Sequence, residues 1–167
     1  GFTTYPKPIL EPSAGDGALA RQVHALAFNV HHDYKTGEID QYDKGKARSA
    51  ELDCIELSSD FRAVLKKDGF RVVHDNFLTF RPTTKYAAIV MNPPFSAGAA
   101  HLLKALDVMQ DGGKIRCLLN AETLRNPCTN ERKELAARLE ELHATVKYIP
   151  DAVYLLLENQ NFGWNYF

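Results

Sequence analysis

Apolar and polar positions along the chain alternate between two periods. Lys7-Pro8-Ile9-Leu10 is a short apolar approach to Glu11, followed by a glycine-containing turn, and apolar residues then recur at helical spacing from Ala18 to Leu26. Leu52-Asp53-Cys54-Ile55-Glu56-Leu57 predicts a second strand. Ser59 or Asp60 caps the next helix, whose apolar face takes in Phe61, Val64 and Leu65, and Asp68-Gly69 stops it. Phe70 to His74 predicts a third strand. Tyr86-Ala87-Ala88-Ile89-Val90-Met91 is a continuous apolar run ended by a proline pair, the pattern of a strand covered on both faces. A helix follows from Ala97 to Gln110 and ends at Asp111-Gly112-Gly113. Lys114 to Leu119 predicts a fifth strand, Asn130 to His143 a charged amphipathic helix, and Thr145 to Ile149 a sixth strand.

Strands alternating with helices imply an α/β fold, a mainly parallel sheet with helices on both faces. Ligands of such sheets bind at the carboxyl ends of the strands, near the point where strand order reverses. Residues 31–50 are polar, aperiodic and of mixed charge, and read as a loop or insertion. The length suits one domain over residues 1–167, with 31–50 as a loop or insertion within it and no separate second domain.

Composition changes this picture little. Twenty Lys and Arg against 21 Asp and Glu give a net charge of −1, so no excess of positive charge announces a nucleic-acid partner. No apolar run approaches the ~18 residues of a membrane span, and the first residues do not read as a signal peptide. The three cysteines are scattered, with no zinc-ligand spacing, which fits a reducing cytoplasm. His31-His32-Asp33 lacks spaced partners and gives no metal site.

Three segments hold candidate chemistry. In Glu11-Pro12-Ser13-Ala14-Gly15-Asp16-Gly17, the glycines allow a sharp turn and close approach of a ligand, and Ser13 and Ala14 keep the space open. No Lys-Ser/Thr follows, and acids at Glu11 and Asp16 repel phosphate, so the turn suits a ligand with positive charge or amino and hydroxyl donors. Glu56 ends the second strand, where an acid accepts from ribose hydroxyls in dinucleotide-type folds. It lies 39 residues after Gly17 (56 − 17), the excess over the usual ~20 being the 31–50 insertion. In Asn92-Pro93-Pro94-Phe95 the prolines remove two backbone donors. What is left is carbonyl acceptors, a carboxamide and an aromatic face, a set suited to an amino group on a planar ring.

The first and third segments together resemble the S-adenosylmethionine-dependent amino-methyltransferases, especially the DNA adenine-N6 type. The resemblance runs from Glu11 to about Ile149 and implies a Rossmann-like class I methyltransferase fold of about seven strands. It implies that Glu11, Pro12, Ser13, Ala14, Gly15 and Gly17 hold the methionine part of S-adenosylmethionine. Glu56, followed by Leu57, then serves its ribose. Asn92, Pro93, Pro94 and Phe95 form the catalytic segment that holds the target amine, with Asn92 also close to the cofactor. Gly1-Phe2-Thr3-Thr4-Tyr5-Pro6 resembles the family's cofactor-carboxylate motif, which adds Thr4, though without the usual intervening helix. Asp75-Asn76-Phe77-Leu78 resembles a segment whose acid meets the cofactor's adenine amine and whose Phe packs on that ring. Asn76 stands at the acid's position and Asp75 one residue earlier, so either is a candidate.

A sulfonium is already a good leaving group, so such an enzyme needs alignment and a nucleophilic nitrogen. The expected arrangement has the Asn92 Oδ1 and the Pro93 carbonyl accepting the amine's two hydrogens while Phe95 stacks on the ring. Adenine inside a duplex must first be flipped out. The same pocket serves RNA adenine or a protein glutamine amide. An inactive cofactor-binding subunit that needs a specificity partner is the reading from another class. Trp164, Tyr166 and Phe167 read as a terminal strand on the core.

Overall fold

The computed structural model describes residues 6–28, 35–36, 51–149 and 152–158. Seven strands make a mainly parallel sheet in the order β3-β2-β1-β4-β5-β7-β6, the expected α/β, Rossmann-like class. The chain divides into two compact units, residues 1–80 and 81–167.

The first unit holds β1 (Ile9–Glu11), α1 (Ala18–Phe28), β2 (Leu52–Ile55), α2 (Ser59–Lys67) and β3 (Arg71–His74). Its strands pair in parallel, Leu10 opposite Asp53 and Cys54 opposite Val72. Every residue of β1 and β2 is buried, whereas β3 alternates between exposed and half-buried, as an outer strand does. Ser58, rather than Ser59 or Asp60, caps α2: its Oγ accepts the Phe61 N–H at 3.4 Å. The expected apolar face of α2 is corrected too. Only Leu65 is buried, while Phe61 and Val64 are 44% and 41% exposed, because one leucine fills the contact a nine-residue helix makes with the sheet. Gly69, at φ +88°, ends the helix as expected.

The second unit holds β4 (Tyr86–Met91), a 3₁₀ turn (Phe95–Ala97), α3 (Gly98–Val108), β5 (Met109–Asn120), α4 (Glu122–Arg125), α5 (Asn130–Glu141), β6 (Thr145–Ile149) and β7 (Ala152–Glu158). All six residues of β4 are buried, as its unbroken apolar run requires. β4 and β5 are parallel; β7 runs antiparallel to both β5 and β6. β7 begins two residues after β6 ends, too few for a crossover, so the reversal is obligatory.

Asp111-Gly112-Gly113 does not separate helix from strand. α3 ends at Val108 and β5 begins at once, running through these residues with a register irregularity opposite Tyr86–Ala88. Gly112 takes φ +73°, and a side chain on Gly113 would stand 2.8 Å from the Gln110 carbonyl oxygen. The glycines therefore bend a strand rather than stop a helix. α4 and β7 were not anticipated. The 31–50 segment, apart from a turn at 35–36, and the Trp164–Phe167 expectation lie outside the described residues. No helix among the described residues is long and apolar enough to cross a membrane.

Candidate functional site

In the first unit, β1 delivers Glu11 into a turn closed by the Gly17 N–H on the Ala14 carbonyl (2.9 Å) and moored to β2 by the Ala14 N–H on the Ile55 carbonyl (3.0 Å). Gly15 and Gly17 adopt φ +54° and +89°. Their reasons differ. A Cβ on Gly15 would meet nothing within 4 Å, so that position needs conformation and faces open space. A Cβ on Gly17 would lie 3.0 Å from Leu65 Cδ2 and 3.3 Å from Phe70 Cε2, so that position also needs smallness. Asp16 Oδ1 accepts the N–H of Ala18, the first residue of α1, at 3.1 Å.

Glu56 is tied to this turn. Its Oε2 accepts the Gly15 N–H and its Oε1 the Ser58 N–H, each at 2.8 Å. Each carboxylate oxygen has a second lone pair left for a ligand hydroxyl. Leu57 beside it is 72% exposed. Pro12 and Ala14 are buried, Ser13 is half-buried, and Thr4 lies outside the described residues.

Glu11 is in a different state. It is 2% exposed, and its Oε2 has no hydrogen-bond partner among the described residues. Burial, helped by the charges of Asp16 and Glu56 and opposed by Arg21, raises its pKa to about 8. At neutral pH it holds its proton, which goes to solvent when a positively charged ligand pairs with the carboxylate.

The Asp75–Phe77 segment follows β3 in the first unit. Asn76 Oδ1 accepts the Leu78 N–H at 3.0 Å and so serves the local turn. Asp75 is exposed, with its Oδ1 3.1 Å from His74 Nδ1. Phe77 is 2% exposed, so its ring belongs to the core and offers no free face.

In the second unit, β4 ends at Met91 and the chain enters Asn92-Pro93-Pro94-Phe95. Pro93 is buried and anchors the segment; Asn92 and Pro94 are exposed, and Phe95 is 65% exposed. The Pro94 carbonyl accepts the Ala97 N–H at 3.0 Å and starts the 3₁₀ turn. Among the described residues, neither the Asn92 side chain nor the Pro93 carbonyl has a hydrogen-bond partner. Gly98 lets α3 begin close to β5, since a Cβ there would fall 2.9 Å from Leu119 Cδ2. One turn on, His101 Nδ1 lies 2.9 Å from the Ala97 carbonyl oxygen. A carbonyl only accepts, so Nδ1 carries the hydrogen, and burial lowers the His101 pKa.

Sequence reasoning missed Arg21 and Arg62. Arg21 Nη1 donates to the Asp16 carbonyl (2.9 Å) and to Asp68 Oδ2 (3.3 Å). Arg62 Nη1 donates to the Glu56 carbonyl (3.0 Å) and the Leu57 carbonyl (2.5 Å). The available signal was a cation near the start of each helix, where the macrodipole disfavours it.

No protein-family model matches the sequence, and no curated protein matches it. In structure the chain is similar to the ribosomal protein L11 methylase from Lactobacillus delbrueckii subsp. bulgaricus, at TM-score 0.60 and 11% identity over 92% of this chain and 69% of that one. It is similar to a TehB-like SAM-dependent methyltransferase from Corynebacterium glutamicum, at TM-score 0.56 and 12% identity over 93% and 82%. An rRNA methylase from Streptococcus thermophilus gives TM-score 0.55 and 10% identity over 95% and 90%. The likeness at these identities is one of fold.

Proposed function

We propose that the chain is an S-adenosylmethionine-dependent methyltransferase acting on the exocyclic N6 amine of adenine in DNA. Two groups in the first unit support a cofactor of this chemistry. Glu11 is a buried carboxyl lacking a hydrogen-bond donor at Oε2, which suits an ammonium, and Glu56 keeps lone pairs for vicinal ribose hydroxyls. Open space at Gly15 leaves room beside both. The methyltransferases to which this chain is similar in fold, a TehB-like SAM-dependent one among them, fit the same reading. When bound, the cofactor supplies an activated methyl group on a sulfonium.

The observation that carries the reading is the Asn92–Phe95 turn. Among the described residues the Asn92 carboxamide and the Pro93 carbonyl have no partner, and Phe95 in the same turn is 65% exposed. The Asn92 Oδ1 and the Pro93 carbonyl accept the two amine hydrogens, which draws the nitrogen lone pair out of conjugation with the ring. Phe95 stacks on the base and replaces the neighbours lost on flipping. No cysteine nucleophile is required: Cys54 and Cys117 are buried, and burial raises both thiol pKa values. With net charge −1, affinity for DNA comes from a partner subunit or from a local surface rather than from overall charge.

Purified protein with methyl-labelled S-adenosylmethionine tests this against DNA, RNA and protein acceptors, followed by nucleoside analysis. Label in N6-methyladenine of DNA is the expected result. Label confined to RNA or to a glutamine amide moves the substrate. Cofactor binding with no transfer to any acceptor identifies a subunit that works with a catalytic partner.

A further inference from the structure

The connection between β2 and α2 holds Arg62 in a role that its place in the helix does not explain. It sits at the amino-terminal end of α2, where a cation opposes the helix dipole, while Asp60 supplies the favourable charge there. Among the described residues it makes no ion pair. One nitrogen, Nη1, donates to two successive carbonyls, those of Glu56 and Leu57. These carbonyls lie just past the end of β2, where water would otherwise satisfy them.

The consequence is a connection fixed from both sides. The Glu56 backbone is held by Arg62, and its side chain is held by the Gly15 and Ser58 amides. Ser58 Oγ fixes the helix start through the Phe61 N–H. With its carbonyl bound and its neighbours immobilised, Leu57 cannot turn into the core and stands 72% exposed. A carboxylate of fixed plane and an adjacent exposed apolar side chain are complementary to a nucleoside, the first to its ribose and the second to its flat base. A local departure from helix electrostatics that builds a ligand-facing surface is a departure with a use.

We propose that Arg62 is a positioning residue, which preforms the Glu56–Leu57 surface for the nucleoside part of the cofactor without touching the cofactor itself. The proposal rests on the methyltransferase reading for the identity of the ligand. It concerns the nucleoside end alone, so it makes a claim the reading does not make. Removing Arg62 should weaken adenosine and S-adenosylhomocysteine by the same factor, because the methionine end is held elsewhere.

The test compares Arg62→Met, which keeps the aliphatic stem and loses the donors, with the wild type and with Arg62→Lys. Affinities for S-adenosylhomocysteine and for adenosine are measured by calorimetry. Arg62→Met should weaken both about tenfold, the scale of one charge-assisted hydrogen bond, and Arg62→Lys should recover part of the loss. In turnover the effect should fall on the donor's KM more than on kcat. A wild-type chain that binds neither probe refutes the methyltransferase reading. A wild type that binds both, with Arg62→Met binding as tightly, refutes only the role of Arg62. If Arg62→Met does not fold, hydrogen exchange in the wild type decides. The Ser58 and Phe61 amides, bonded within this connection, should be protected before S-adenosylhomocysteine is added and little changed afterwards. Free exchange that slows only on addition overturns a preformed surface.

Discussion

Around the Glu11–Gly17 turn of the first unit, the Gly15 and Ser58 amides and the Glu56 and Leu57 carbonyls all end on named side chains. In the Asn92–Phe95 turn of the second unit, the Asn92 carboxamide and the Pro93 carbonyl end on nothing among the described residues, and only the Pro94 carbonyl is used internally. Both turns follow a fully buried strand, so strand burial does not account for the difference. Prolines do. They delete the donors that would close the second turn on itself, and φ restriction replaces hydrogen bonds as the source of rigidity. A turn stiffened by hydrogen bonds suits a cofactor of fixed shape. One stiffened by prolines keeps its acceptors free for a substrate amine.

The largest effect should come from removing a free acceptor. Asn92→Ala is expected to lower methyl transfer by about 10²–10³-fold, the scale of losing one preorganised polar group at a reacting centre. Affinity for S-adenosylhomocysteine should fall far less, because most of the proposed cofactor contacts lie at the Glu11–Gly17 turn and Glu56. Single-turnover transfer together with calorimetry reads both quantities. Equal loss of both would erase the distinction between the turns.

Glu11 differs within the first turn, since its buried Oε2 has no hydrogen-bond partner among the described residues, and pH tests it. The folded chain keeps the Glu11 proton up to about pH 8, against an ordinary value of 4.5. A raised acid pKa means that the contribution to stability is fully present below pH 4.5 and is lost as pH rises through 8. The slope can reach about 1.4 kcal/mol per pH unit inside that window. Glu11→Gln cannot ionise, so its stability relative to the wild type should be greater at pH 8 than at pH 5 in denaturant titrations. S-adenosylhomocysteine, which carries an ammonium, should bind the wild type more tightly as pH rises toward 8, and Glu11→Gln should lack that slope. A wild type with no slope in either measurement would place the Glu11 carboxyl among ordinary solvated acids.

Glu56 sharpens the comparison from the opposite side. Glu56→Gln puts an amide nitrogen where one backbone N–H now has its acceptor, leaving either Gly15 or Ser58 unsatisfied. The cost is about 1–3 kcal/mol, seen as a melting temperature lower by roughly 2–12 °C. Unchanged melting would mean that the carboxylate does not hold the turn together.

How much of this was legible in the sequence follows the same divide. β4 and β6 were read to the residue, because an unbroken apolar run and a short run after a charged helix leave little choice. The Asn92–Phe95 turn was legible because proline acts locally and in a known direction. Glu11 and Glu56 could be picked out, but not their opposite states, since one depends on burial and the other on an amide 41 residues away. The burial of Phe77 was not legible, because the sequence does not tell a ring packed in the core from one facing a ligand. Phe61 and Val64 were misread as core because spacing gives a helix's face but not how much of it the sheet covers.

Phe95 gives the smallest effect on the fold and the clearest separation of structure from use. A phenylalanine 65% exposed makes little of the core, so Phe95→Ala should change stability by no more than about 0.5 kcal/mol. Stacking of a base on an aromatic ring is worth about 1–3 kcal/mol, so the acceptor's KM should rise about tenfold or more while cofactor affinity holds. Melting curves and steady-state kinetics on an oligonucleotide acceptor separate the two. A variant that melts several degrees lower with an unchanged acceptor KM would make Phe95 a packing residue, and the open turn would then lack its stacking face. The opposite result, intact stability with weakened acceptor binding, is what a side chain held out for a partner must give.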